Sequence, residues 1–141
     1  SLSAYGLGFH RHNSEVEQEL KNHTKSKIKF TFTPHLSPMF RGILSTIYID
    51  LKPNFSIIDI HKNLNSFYKR SKFVKVLKRN SILSTNDTIN KNDCFISVCK
   101  TKYKDKVIIL CAIDNLIKGG AGQAVQNLNL KFGFPIQSGL V

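Results

Sequence analysis

Val107-Ile108-Ile109-Leu110-Cys111-Ala112-Ile113, running straight into Asp114-Asn115-Leu116-Ile117-Lys118-Gly119-Gly120-Ala121-Gly122-Gln123-Ala124, is the stretch on which the fold turns. An unbroken apolar run of this length predicts a central strand over 106–113, covered on both faces. Its end opens into a turn of small residues. Ala121, Val125, Leu128 and Phe132 then recur at the steps of one helix face. Gly133 supplies the stop for that helix and Pro135 prevents continuation. A glycine-rich entry lets backbone approach another group closely. Gly-Gly-x-Gly does not say which group, because it is not the GxGxxG spacing and follows no complete βαβ pattern.

Upstream of the central strand, Cys94 to Lys100 reads as a second strand joined to it by a charged hairpin loop. Cys94 and Cys99 lie five apart and face opposite sides of such a strand, which excludes a shared metal site or a disulfide between them. Cys94 and Cys111 are expected as near neighbours across the hairpin. All three cysteines read as reduced thiols in a cytosolic compartment. Ile43 to Leu51 and Phe73 to Val76 are further strands, and residues 81–93 form a polar loop. Ser56 is the expected N-cap of a helix carrying Ile57, Ile60 and Leu64. Ile28-Lys29-Phe30-Thr31-Phe32-Thr33 alternates with the period of a half-buried strand ended by Pro34. No internal repeat interrupts this order, which predicts an α+β domain with a mixed, largely antiparallel sheet and helices on one face. The last helix has no obvious place on that sheet and is expected to serve a neighbouring domain.

A third region carries chemistry. Gly8-Phe9-His10-Arg11-His12-Asn13-Ser14-Glu15-Val16-Glu17-Gln18-Glu19-Leu20 sets two histidines and an arginine before a helix whose expected N-cap is Asn13 or Ser14, with Ser14-x-x-Glu17 as a capping box. A helix start leaves N–H groups unpaired and attracts anions, and imidazoles beside it can serve as bases. Taken alone, His-Arg-His next to a helix is more often solvated surface than a site.

The 141 residues, 41% hydrophobic, suit one ordinary domain with a real core. No apolar run approaches the ~18 residues of a membrane span, and no signal peptide is expected from Ser1-Leu2-Ser3-Ala4-Tyr5. A start without Met reads as a fragment. Twenty-one Lys and Arg against nine Asp and Glu give a formal charge of +12. The lysines are scattered over loops and solvent faces, in no zinc-finger, RRM or helix-turn-helix framework, so no nucleic-acid partner is expected. No metal ligand set is expected either.

Three blocks in this order resemble the N-acetyl-gamma-glutamyl-phosphate reductase family, relatives of the aspartate-semialdehyde dehydrogenases. They are residues 8–20, the loop Phe32-Thr33-Pro34-His35-Leu36-Ser37-Pro38-Met39-Phe40-Arg41-Gly42-Ile43-Leu44, and the segment from Asp114 to Leu130. The third is shared with the semialdehyde dehydrogenases; the first two point to the acetylglutamyl enzymes. Ser14 stands where the family usually has proline, Phe40 where it commonly has a polar residue, and Asn90-Lys91-Asn92-Asp93-Cys94 follows its Gly-Ser-Asn-x-Cys loosely.

The resemblance implies a glyceraldehyde-3-phosphate dehydrogenase-like C-terminal domain. Residues 1–114 would be a substrate-binding and dimerisation domain, and 115–141 a turn and helix returning to a nucleotide-binding domain upstream. It implies NADPH-dependent reduction of N-acetyl-glutamyl 5-phosphate to the semialdehyde with phosphate release, in arginine biosynthesis, by a homo-oligomer (dimer or tetramer). The family's nucleophilic cysteine lies upstream, and none of Cys94, Cys99 and Cys111 occupies its motif. His12 is the candidate acid or base and His10 the alternative. Arg11 and Arg41 offer forked donors to phosphate and carboxylate oxygens. For His35, a substrate contact and a backbone-bonded turn histidine weigh equally. Asn115, Gly119, Gly122 and Gln123 would face the nicotinamide end of NADPH. The competing expectation is a non-catalytic, dimerising interaction module derived from the reductase.

Overall fold

The computed structural model describes residues 1–24, 26 and 28–140. The chain divides into two compact units, Ser1–Phe40 and Arg41–Val141.

In the first unit, β1 (Ser3–Ala4) pairs antiparallel with β2 (His35–Leu36), Ala4 opposite His35. Tyr5 N–H extends the pairing by donating to Pro34 O at 3.1 Å. Helix α1 spans Arg11–His23. It begins earlier than the carboxylates suggested, because its N-cap is His10, whose backbone is extended and whose Nδ1 accepts the His12 N–H at 3.2 Å. An imidazole nitrogen thus does what a serine oxygen does at a common N-cap. Ser14 lies inside the helix and donates from Oγ to Arg11 O at 2.9 Å, so the Ser14-x-x-Glu17 box does not form. The strand expected over 28–33 is also not formed. Its alternation serves side-chain packing instead: the Phe30 and Phe32 rings stack at 6.3 Å, and Phe32 meets His10 edge-on at 5.4 Å.

The second unit is a four-stranded sheet in the order β3-β6-β5-β4. Strands β3 (Ile43–Asp50), β5 (Cys94–Lys100) and β6 (Lys106–Ile113) are antiparallel neighbours through β6, while β4 (Val74–Val76) runs parallel to β5. The sheet is mixed and mostly antiparallel, as expected. The apolar run 107–113 lies in the interior of the sheet, and Val107 and Ala112, on opposite faces, are both buried. Edge strand β3 is different: Leu44 and Ile47 point to opposite faces and are each 45% exposed.

Helix α2 (Ile57–Tyr68) packs across β4 and β5. Its capping box is complete: Ser56 Oγ accepts from Asp59 N–H while Asp59 Oδ2 accepts from Ser56 N–H at 2.9 Å. Removing a hydroxyl cap costs about 1 kcal/mol. Ser56→Ala is therefore expected to lower unfolding free energy by about that much in a denaturant titration at neutral pH. The polar segment 81–93 holds only a 3-10 turn at Thr85–Thr88, against β6. After β6 comes a π-turn, Ile117–Ala121, kinked at Gly120, and then α3 (Gly122–Phe132). Gly133 ends α3 in the left-handed conformation, φ 71°. Among the described residues no helix is long and apolar enough to cross a membrane.

Candidate functional site

In the first unit, the start of α1 gathers His10 and His12. Their ring centroids lie 4.7 Å apart, with Tyr5 5.3 Å from His10. Because His10 Nδ1 accepts the helix-start N–H, the neutral ring carries its proton on Nε2. His12 is more open, and Glu15 Oε2 lies 3.9 Å from its Nε2. Arg11 occupies the first helical position with its side chain exposed. His35 is exposed in β2, with Nδ1 3.2 Å from Thr33 O. That is the backbone-bonded arrangement weighed from sequence.

In the second unit the side chain that organises the site is Asp114, a residue the motif reading passed over. It is fully buried. Its Oδ1 accepts from Arg41 Nε and Nη2 at 3.1 and 2.7 Å and from the N–H groups of Leu116 and Ile117 at 2.9 and 3.1 Å. Oδ2 accepts from Arg41 Nη2 at 2.6 Å and from Asn90 N–H at 2.8 Å. Burial pushes the Asp114 carboxyl up. The Arg41 guanidinium and three backbone donors outweigh it and hold the group below the usual carboxylate range. Arg41, offered from sequence to a substrate anion, has Nε and Nη2 on Asp114 and Nη1 on Asn90 Oδ1 at 3.3 Å. One carboxylate thereby ties the entry of β3, the 81–93 loop and the turn after β6 together. The available signal was an aspartate ending an apolar central strand, where only a paired carboxylate is tolerated.

The turn that Asp114 shapes carries Asn115, Gly119, Gly122 and Gln123. A Cβ on Gly119 would lie 2.6 Å from Asn115 Oδ1, and one on Gly122 would lie 2.5 Å from Asn92 Oδ1. Glycine at both positions is thus a matter of close approach. Asn92 is fully buried; its Nδ2 donates to Gln126 Oε1 at 2.9 Å, and its Oδ1 has no partner among the described residues. Lys118 Nζ donates to the same Gln126 oxygen at 2.8 Å and lies 5.6 Å from the Phe73 ring centroid. Gln123 Nε2 donates to Asn127 Oδ1, one turn along α3. No three His, Cys, Asp or Glu side chains among the described residues converge on a metal position.

Residues 1–115 match the family model described as semialdehyde dehydrogenase, dimerisation domain. The chain belongs to that family. The resemblance drawn from the three blocks agrees with it, as does the α+β architecture. Along 140 residues, 99% of its length, the chain is 46% identical to "N-acetyl-gamma-glutamyl-phosphate reductase" of Clostridium botulinum (strain Eklund 17B / Type B). It is 42% identical to "Probable N-acetyl-gamma-glutamyl-phosphate reductase, chloroplastic" of Arabidopsis thaliana, again over 99% of the chain. It is 41% identical to the reductase of Staphylococcus saprophyticus over its whole length. The chain spans 41%, 35% and 41% of these three relatives.

Proposed function

We propose that this chain is the substrate-binding and dimerising C-terminal part of an N-acetyl-gamma-glutamyl-phosphate reductase. The observation that carries the reading is 46% identity to an enzyme of that name along nearly the whole chain. The His-Arg-His start of α1 gives the reading its chemistry.

The reaction has two stages. A thiolate outside these residues would displace phosphate from the acyl phosphate to give a thioester, and NADPH, when bound, would supply the hydride that takes the thioester to the aldehyde with loss of the thiolate. His12 is the acid or base, holding a proton at Nε2 or Nδ1 for the carbonyl oxygen and, in reverse, removing it. His10, latched to the helix start, keeps the His12 backbone in place and is the second candidate for the same transfer. Arg11 is assigned to the substrate's anionic oxygens. Arg41 is assigned to hold the turn rather than the substrate. Asn115, Gly119, Gly122 and Gln123 would hold the nicotinamide end of NADPH through backbone and amide groups.

The test is turnover of the purified full-length protein with N-acetyl-glutamate semialdehyde, phosphate and NADP, followed by nicotinamide absorbance. Reduction of NADP only when phosphate is present is the expected result. Turnover with aspartate semialdehyde in place of the acetylated substrate would move the chain to the other branch of the family. A dimer that reduces no dinucleotide would leave a non-catalytic interaction module.

A further inference from the structure

We propose that Cys94 and Cys111 form a dithiol site that takes a small disulfide of the glutathione type as oxidant and closes to a cross-strand disulfide. The inference stands apart from the reductase reading and rests on sheet geometry. In the β5–β6 ladder Cys94 is opposite Ile113 and Cys111 opposite Ile96, so the two thiols lie on one face, diagonal to each other on neighbouring strands. The register brings the sulfurs to 3.4 Å. Neither is bonded elsewhere in a disulfide, and both are half-buried rather than enclosed. Bond formation at ~2.05 Å requires the sulfurs to close the remaining gap. Cys94 is the first residue of its strand, so that movement is absorbed at an element end.

The surroundings give the two sulfurs different roles. Hydrogen bonding from Cys111 lowers the Cys94 thiol against burial, and the nearby Lys118 ammonium lowers it further while the neighbouring Asp93 carboxylate opposes it, the balance remaining downward. Cys111 is pushed up, first by serving as the donor in that bond and then by burial. Cys94 is therefore the attacking thiolate. It bonds to one sulfur of the oxidant and expels the other as a thiolate. The mixed disulfide removes the negative charge beside Cys111, whose proton then becomes easier to lose. Cys111 attacks Cys94 Sγ and expels the second thiolate. Two protein thiols have lost two electrons and two protons, and the oxidant has become two thiols. Cys99 faces the other side of the sheet, 3.5 Å from Ser97 Oγ, and takes no part.

The test is peptide mapping of the full-length protein after exposure to oxidised glutathione, without reductant. Trypsin separates the segment 92–100 from 107–118, so a bond between Cys94 and Cys111 appears as one linked peptide pair. That pair is expected in the native protein and in Cys99→Ser, and is expected to vanish in Cys94→Ser and Cys111→Ser. Three fully alkylated cysteines after oxidation would overturn the proposal. So would glutathione retained on Cys94 with Cys111 free, or a link that disappears in Cys99→Ser.

Discussion

His12→Asn in the full-length protein is expected to lower kcat of the proposed reduction by a factor on the order of 10²–10⁴, the usual contribution of a positioned acid or base. Substrate KM should change little, because Asn keeps a polar side chain of similar reach without a titratable nitrogen. Thermal stability should also hold: His12 is exposed at the helix surface and its distance to Glu15 is 3.9 Å. Steady-state kinetics with the acetylated substrate checks this, and wild-type turnover would remove His12 from the mechanism. His10→Asn provides the separating control. An asparagine oxygen accepts the same helix-start N–H, so α1 keeps its cap while the imidazole is gone. Loss of turnover in that variant alone would transfer the proton to His10.

Asp114→Asn is expected to be the most destabilising conservative change in the second unit, by about 3–5 kcal/mol, the cost of removing one member of a buried ion pair. The amide leaves the Arg41 guanidinium without its counterion, and the Arg41 side chain is only 13% exposed. It also presents N–H groups to backbone donors that require an acceptor. Equilibrium denaturation of the native and variant proteins measures the difference. The pH dependence has a definite sign. The folded carboxyl titrates below its ordinary value, so its contribution is complete above the unfolded value near 3.8 and is lost as pH falls through the lower folded value. The difference between native protein and variant should accordingly shrink toward acid. A variant as stable as the native protein at neutral pH would show that the pair contributes nothing.

The elements whose signals are local were legible. Ser56 marked the start of α2, the apolar run marked β6, and Gly133 with Pro135 marked the end of α3. Two readings failed where side chains had dual uses. Histidine is an uncommon N-cap, so the carboxylates at 15 and 17 drew the expected helix start too far along the chain. The alternation at 28–33 was real, but its aromatic rings pack, Phe30 on Phe32 and Phe32 on His10, without a ladder. Of the candidate site, the residue types were legible and the partners were not. Arg41 looked like a free anion ligand because Asp114 lies 73 residues away, and no spacing rule reaches across that separation. Asn92 was hidden in the same way by its approach to Gly122.

The strand order β3-β6-β5-β4 also dictates a sequence of events during folding. The two edge strands come first in the chain, yet neither pairs with the other. Each needs a strand of the hairpin made by residues 94–113. That hairpin is local in sequence and closes on a short loop, whereas docking of β3 and β4 must repay the closure of long intervening segments. As the chain leaves the ribosome, residues 43–76 therefore emerge as strands and a helix without a sheet to join. β4 waits for residues 94–100 and β3 for residues 106–113, so the edge strand that comes first in the chain waits longest for its partner.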